Sequence, residues 1–179
     1  MKIDVICVGE LECNCYLLSI GNKVLVIDPG ADADKIMNVI GNRDVVGIIV
    51  THYHFDHIGA LEELKNKYNV TVYDNKNMIE GDNKIDVFDF EVIHTPGHKE
   101  DLITIYFKDN NCMFCGDFIF KESIGRCDLP GGNINKMIDS ISKIKKYDYD
   151  VMIYPGHGES TTLGYEISNN MYFLDISLL

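Results

Sequence analysis

The chain has 179 residues, 46% of them hydrophobic, and a formal net charge of −12. That length points to one domain over residues 1–179 with a core of its own. A surface this acidic repels phosphate backbones and argues against a nucleic-acid partner. No apolar run approaches the ~18 residues of a membrane span, and the start, "MKIDVICVGE", lacks a basic region followed by a long apolar stretch. The expectation is a cytoplasmic protein, away from membranes, whose six cysteines are reduced.

In chain order, residues 3–8, 15–20 and 23–27 are rich in Ile, Val, Leu and Tyr and are separated by Gly and Asn turn signals, which predicts an antiparallel meander. "DADKIMNVIG" (32–41) carries apolar residues at 36, 37, 39 and 40 before a closing Gly41, the pattern of a short helix. "VVGIIV" (45–50) reads as a buried strand. Ile58, Leu61 and Leu64 then fall at helical spacing, predicting a helix from His57 to about Tyr68 with Asp56 as its cap. "VTVYD", "FEVIHT", "LITIYF" and "CMFCGD" are four further strand candidates. "NKMIDSISKIKKYD" (135–148) places Met137, Ile138, Ile141 and Ile144 on one helical stripe. "DVMIYPG" is a last strand, and "TTLGYEISNNMYFL" (161–174) a closing helix. Leading strands with interspersed helices predict an α/β sandwich with helices outside.

The chemistry concentrates where strands end. "THYHFDH" (51–57) directly follows the strand "VVGIIV" and offers three imidazoles and a carboxylate. A helix N-terminus at His57 would disfavour imidazolium there and favour an ionised Asp56. Neutral imidazoles beside a carboxylate are a ligand set suited to zinc or iron. "HTPGH" (94–98), "CGDFIF" (115–120) and "YPGHGESTTLGYE" (154–166) each put a His or Asp after an apolar stretch and beside a Gly. Pro-Gly makes a tight turn, and Gly lets backbone approach closely. Four strand ends therefore converge polar ligands on one edge of a sandwich.

Together with Asp28 in "VIDPG", these segments resemble the five signature motifs of the metallo-β-lactamase superfamily, in the expected order and over nearly the whole chain. "GRCDLPGGN" (125–133) and "TTLGYEISNN" are similar to the short hydroxyacylglutathione-hydrolase-like, or glyoxalase II-like, members. The resemblance implies an αββα four-layer sandwich: two mixed β-sheets, helices on the outer faces, and a binuclear site between the sheets. It implies His52, His54 and His98 on a first ion, Asp56, His57 and His157 on a second, Asp117 bridging, and Asp28 orienting the ligand loop. Zinc is the expected metal, with iron or manganese as alternatives. Asp56 and Asp117 would be the catalytic carboxylates, holding a metal-bridging hydroxide that attacks a thioester such as S-lactoylglutathione. Two metals sharing a water lower its pKa toward about 7, and a thiolate leaves without a general acid.

Position 117 discriminates within the superfamily: a Cys commonly stands there in the zinc β-lactamases, and an Asp in thioester hydrolases and lactonases. Cys115 reads as core, as do Cys13 and Cys15 in "CNC", and "CMFC" alone is weak evidence for metal or redox work. His94 reads as a hydrogen-bonding neighbour. Arg126 is expected to fix its loop by pairing with a carboxylate, or else to meet an anionic substrate. The chain departs from the family pattern with Lys99 and Glu100 after His98, with "HIGA" for a double Gly, and with "NN" at 169–170 for Asn-Pro. At this length, the helical domain with which larger glyoxalase II enzymes grip glutathione is not expected. The leading expectation is a thioester hydrolase acting on a small molecule. The alternatives are an iron-dependent persulfide dioxygenase, a lactonase or phosphodiesterase of the same superfamily, and a metal-binding module without catalysis.

Overall fold

The computed structural model describes residues 1–175. The predicted meander is present: β1 (Lys2–Val8), β2 (Cys13–Ile20) and β3 (Lys23–Ile27) pair antiparallel. The chain crosses over through α1 (Ala33–Ile40) to β4 (Asp44–Ile49), which lies parallel to β3. After α2 (Phe55–Ile58) and α3 (Leu61–Tyr68), the short β5 (Val72–Tyr73) completes a five-stranded mixed sheet in the order β1-β2-β3-β4-β5.

The second sheet begins with β6 (Gly81–Ile85), β7 (Phe88–His94), β8 (Ile103–Phe107) and β9 (Cys112–Gly116), an antiparallel series. A small hairpin, β10 (Ile119–Phe120) with β11 (Ser123–Ile124), stands apart from it. Helix α4 (Ile134–Ile144) carries the chain back to β12 (Met152–Pro155), parallel to β9, and β13 (Thr161–Thr162) closes the edge. Helices α5 (Leu163–Asn169) and α6 (Met171–Leu174) follow. Among the described residues, no helix is long and apolar enough to cross a membrane.

Three apolar clusters explain the layering. One joins the inner faces of the sheets, with Leu18, Leu25 and Ile49 from the first against Phe90, Ile105 and Phe114 from the second. Phe114 stacks on Tyr154 at 5.0 Å and meets Tyr16 edge-on at 4.9 Å, contacts worth about 1 kcal/mol each beyond burial. A second cluster seats Ile36 and Ile40 of α1 and Leu61 and Leu64 of α3 on the outside of the first sheet. A third seats Met137, Ile141 and Ile144 of α4, with Leu163 of α5, on the outside of the second. Helix, sheet, sheet, helix is the αββα order.

Three details differ from the sequence expectation. The helix at 57–68 is two helices: the Ala60 N–H donates to the Pro29 carbonyl at 2.9 Å, so the turn at Gly59 docks on the loop after β3. Asp56 is inside the first turn of α2 and caps nothing; the capping position is His54, without a side-chain bond. The closing helix is likewise broken, at Asn170, whose side chain accepts from the Tyr172 N–H and donates to Glu166 and Ser123.

Candidate metal centre

Every predicted site residue lies in a loop or short turn that follows a strand. Thr51, His52 and His54 follow β4, Asp56 and His57 sit in α2, and His98 follows β7. Asp117 comes one residue past β9 and His157 two past β12. The structure brings His52, His54, His57, His98, His157, Asp56 and Asp117 together. His54 Nδ1 is 3.0 Å from His52 Nε2 and 2.9 Å from His98 Nε2, and with Asp117 these rings form one group of converging donor atoms. Across Asp117, His157 Nε2 is 3.1 Å from Asp56 Oδ2, and His57 Nε2 is 3.8 Å from the same oxygen.

Asp117 divides its two oxygens between these halves. Oδ2 lies 3.5 Å from His98 Nε2 and 3.9 Å from His52 Nε2, while Oδ1 lies 3.2 Å from His57 Nε2 and 3.7 Å from His157 Nε2. The carboxylate reaches this place because Gly116 adopts φ +50, which breaks strand alternation. Cys115 therefore points into the core, its thiol donating to the Ile119 carbonyl at 3.4 Å. Gly156 closes the opposite wall: a Cβ there would stand 2.2 Å from Asp117 Oδ1 and 2.6 Å from His57 Cε1.

The second nitrogen of four rings is already committed. His57 Nδ1 donates to Asp28 Oδ2 at 2.9 Å, His98 Nδ1 to the Arg126 carbonyl at 2.8 Å, and His157 Nδ1 to the Leu11 carbonyl at 2.9 Å. His52 Nδ1 lies 3.2 Å from Thr51 Oγ1, whose own proton goes to Asp28 Oδ2 at 2.6 Å. An acceptor on Nδ1 fixes the ring and aims Nε2 at the cluster, where a cation would take the lone pair, at His57 by displacing the Nε2 proton. Asp28 thus orients one ring in each half, His57 directly and His52 through Thr51.

Burial, then the charge of His57, hold the His52 imidazole well below its ordinary pKa, and burial with His98 and Lys99 lowers that of His54. Both rings are neutral and able to donate a lone pair. His57 behaves otherwise, against the expectation from a helix dipole. Burial pushes its pKa down, but the Asp28 charge and the nearby Asp117 carboxylate outweigh burial and raise it well above the ordinary value. Helix α2 has only 4 residues, too few for a sizeable macrodipole. Asp117, despite its burial, is held below the usual carboxylate range by His57, His52 and His157.

Two divalent ions fit this arrangement. His57 Nε2 and Asp117 Oδ1 are both buried and without a hydrogen-bond partner, although 3.2 Å apart. Their contact is an ion pair without hydrogen-bond geometry, and a cation between them would take both atoms as ligands. The donors are imidazole and carboxylate, the chemistry zinc and iron prefer.

The remaining candidates resolve simply. Arg126 forms a two-pronged pair with Asp128, both bonds 2.7 Å, the loop-fixing role expected for it. His94 stands apart from the cluster, 3.9 Å from Glu80, and its buried Nε2 has no hydrogen-bond partner, so it is not the hydrogen-bonding neighbour expected. Cys15 is buried in the outer core. Cys13 belongs to that core too, but its sulfur also faces His57 and His157, a placement that strand periodicity did not reveal. A pocket of about 430 Å³ opens over the cluster, and Leu11, Phe55, Phe120 and Leu129 line it opposite the His and Asp side chains. Sequence reasoning missed this rim because isolated apolar loop residues carry no pattern.

Residues 8–77 and 79–157 match the family model of the metallo-beta-lactamase superfamily. The chain is 30% identical to the hydroxyacylglutathione hydrolase GloC of Haemophilus influenzae, over 96% of this chain and 98% of that protein. Among solved structures it is similar to the BLEG-1 B3 metallo-beta-lactamase, with a TM-score of 0.92 at 27% identity over 97% of this chain and 100% of that one. It is similar also to TTHA1623 in a di-iron-bound form, with a TM-score of 0.87 at 27% identity over 94% and 99%.

Proposed function

Because the chain belongs to the metallo-beta-lactamase superfamily, we propose that it is a binuclear metal-dependent hydrolase that cleaves thioesters of small hydroxy acids. The observation that carries the reading is the pocket lining. Beyond the candidate ligands, its polar side chains reduce to Arg126, which is held by Asp128. Among the described residues, the pocket lining offers no free acid to protonate a leaving group. A thiolate departs without one, whereas an amine or alkoxide leaving group needs a proton.

His52, His54 and His98 would hold one ion, Asp56, His57 and His157 the other, and Asp117 would join them. Bound ions would lower the pKa of water toward neutrality and polarise a carbonyl. The chain's own contribution is orientation. Asp28 sets the direction of His52 and His57, the carbonyls of Leu11 and Arg126 set His157 and His98, and the apolar rim keeps water off the far side of the substrate. Zinc is our first assignment. The similarity to a protein described as di-iron-bound makes iron the second.

Protein saturated with zinc and freed of excess should therefore carry two ions per chain, as binuclear sites do. Asp56→Ala should hold the second ion more weakly than the first, since His52, His54 and His98 are untouched. Elemental analysis is the check, and a saturated wild-type stoichiometry of one ion or fewer sinks the binuclear reading.

Substrate comparison tests the reaction. We expect kcat/KM for S-lactoylglutathione and for a simpler hydroxyacyl thioester to exceed that for a lactone, nitrocefin or bis-p-nitrophenyl phosphate by at least tenfold, about 1.4 kcal/mol of transition-state binding. Arg126 is paired with Asp128 and four apolar residues form the rim, so the glutathione thioester should show a high KM. The likeness to the BLEG-1 β-lactamase makes the lactam the second reading. A preference for nitrocefin or the phosphodiester overturns the thioesterase, and oxygen uptake with glutathione persulfide would put a dioxygenase in its place.

A further inference from the structure

Cys13 opens β2, at the seam where the first sheet meets the last ligand loop. Its backbone bridges that of His157. The neighbouring Asn14 N–H donates to the Gly156 carbonyl at 2.7 Å, and the Asn14 side-chain amide donates to the carbonyls of Pro155 and Gly158. Cys13 is therefore fixed in position relative to His157 by main-chain contacts on both sides. Its side chain is 1% exposed.

The Cys13 sulfur, a ring nitrogen of His57 and a ring nitrogen of His157 all lie within 4.8 Å of one another. In a tetrahedral shell with a Zn–S distance of about 2.3 Å and Zn–N distances of about 2.0 Å, sulfur and nitrogen stand roughly 3.5 Å apart, so a cation has to draw the three donors together by up to roughly 1.3 Å to take them into one shell. A second observation is independent of the sulfur: His57 Nε2 is wholly buried and has no hydrogen-bond partner. Cys115 and Cys127, by contrast, direct their thiols at carbonyl oxygens.

We propose that Cys13 is a further ligand, as thiolate, of the ion held by Asp56, His57 and His157. The inference rests on the binuclear reading above and deepens it. Binding exchanges the S–H bond for an S–metal bond and releases the proton to solvent. The two halves of the centre then differ in character. The half built on His52, His54 and His98 offers nitrogen and oxygen alone, while the other adds a soft sulfur. Thiophilic ions such as zinc, cobalt and cadmium are drawn to the second half, and manganese is not.

Cobalt(II) substitution reads this directly, because a sulfur–cobalt bond gives a charge-transfer band in the near ultraviolet that nitrogen and oxygen ligands do not. Wild-type protein loaded to two cobalt ions per chain, counted by elemental analysis, should show the band. Cys13→Ser should lack it and should bind cadmium about 10–100-fold more weakly in the second half, the range for loss of a supporting interaction at a metal site. Cys13→Ala, which keeps a small apolar group in the core, serves if the serine variant does not fold. Two bound cobalt ions without the band overturn the Cys13 assignment and leave the binuclear reading standing. A band that survives in both variants also overturns it. Wild-type protein that takes up one cobalt ion or none removes the binuclear reading and this inference with it.

Discussion

Asp117→Ala should lower kcat/KM for a thioester by about 10³-fold or more, equivalent to roughly 4 kcal/mol of transition-state stabilisation, and should leave the protein unable to retain two metal ions. The expectation follows from the geometry of one side chain. Its Oδ2 faces His52 and His98, and its Oδ1 faces His57 and His157, so deleting it removes negative charge from both halves at once. The four rings would then face one another, and two cations, with Asp56 as the nearest remaining carboxylate. Asp117→Asn keeps the volume but not the charge and separates packing from electrostatics. Both variants should bind metal more weakly than Asp56→Ala. Turnover and elemental analysis are the measurements. If Asp117→Asn keeps two ions and loses less than tenfold in kcat/KM, the bridging role is wrong.

Asp28→Ala should be the most destabilising of the site substitutions. The side chain is 2% exposed. Its Oδ1 accepts from the Thr51 N–H at 2.7 Å, and its Oδ2 from Thr51 Oγ1 at 2.6 Å and His57 Nδ1 at 2.9 Å. Removing one partner of a buried, hydrogen-bonded charge pair costs about 3–5 kcal/mol, which at 2–4 °C per kcal/mol lowers Tm by about 10 °C. The left-handed backbone of Asp28, φ 49, tolerates Asn, so Asp28→Asn isolates the lost charge. That variant should fold but bind metal about 10–100-fold more weakly, as second partners of metal-ligating histidines do.

The metal-free chain should also show the Asp28–His57 pair in its pH dependence. The folded-state pKa of His57 is raised, so its contribution is complete below the unfolded value near 6.5 and is lost as pH rises through the folded value. Thermal melts of metal-free wild type should therefore fall above about pH 6.5 more steeply than those of Asp28→Asn. Equal slopes, or an Asp28→Ala Tm within about 2 °C of wild type, would remove Asp28 from this role.

The strands and helices with strong apolar periods were legible in the sequence: the meander β1 to β3, the core strands β4, β7, β8 and β9, and helices α1 and α4. So was the set of side chains that converge at the candidate centre, because each sits beside a Gly or a strand end that local chemistry marks. What escaped was set by distant contacts. "GDNKI" (81–85) is polar outside and carries one buried Ile85, too little pattern for a strand. The hairpin at 119–124 has two pairs of residues. The break at Gly59 comes from the bond of the Ala60 N–H to Pro29, 31 residues before Ala60 in the chain, and no helical period reports it. Cys13 escaped for the same reason, since what makes its sulfur a ligand candidate is His157 at the far end of the sequence.

The contacts that hold the last ligand loop also impose an order of events on the newly made chain. Pro155 and Gly158 are bound by Asn14 and Tyr16 across 139 to 144 residues, whereas the rings of His52, His54 and His98 are gathered within 46 (98 − 52). Closing a longer loop costs more, by about 0.6 kcal/mol per doubling, and synthesis runs from the N-terminus. A nascent chain can assemble the first half of the centre while β12 is still unmade. In the binuclear reading proposed above, capture of a second ion would wait until β12 docks and brings His157 beside Asp56.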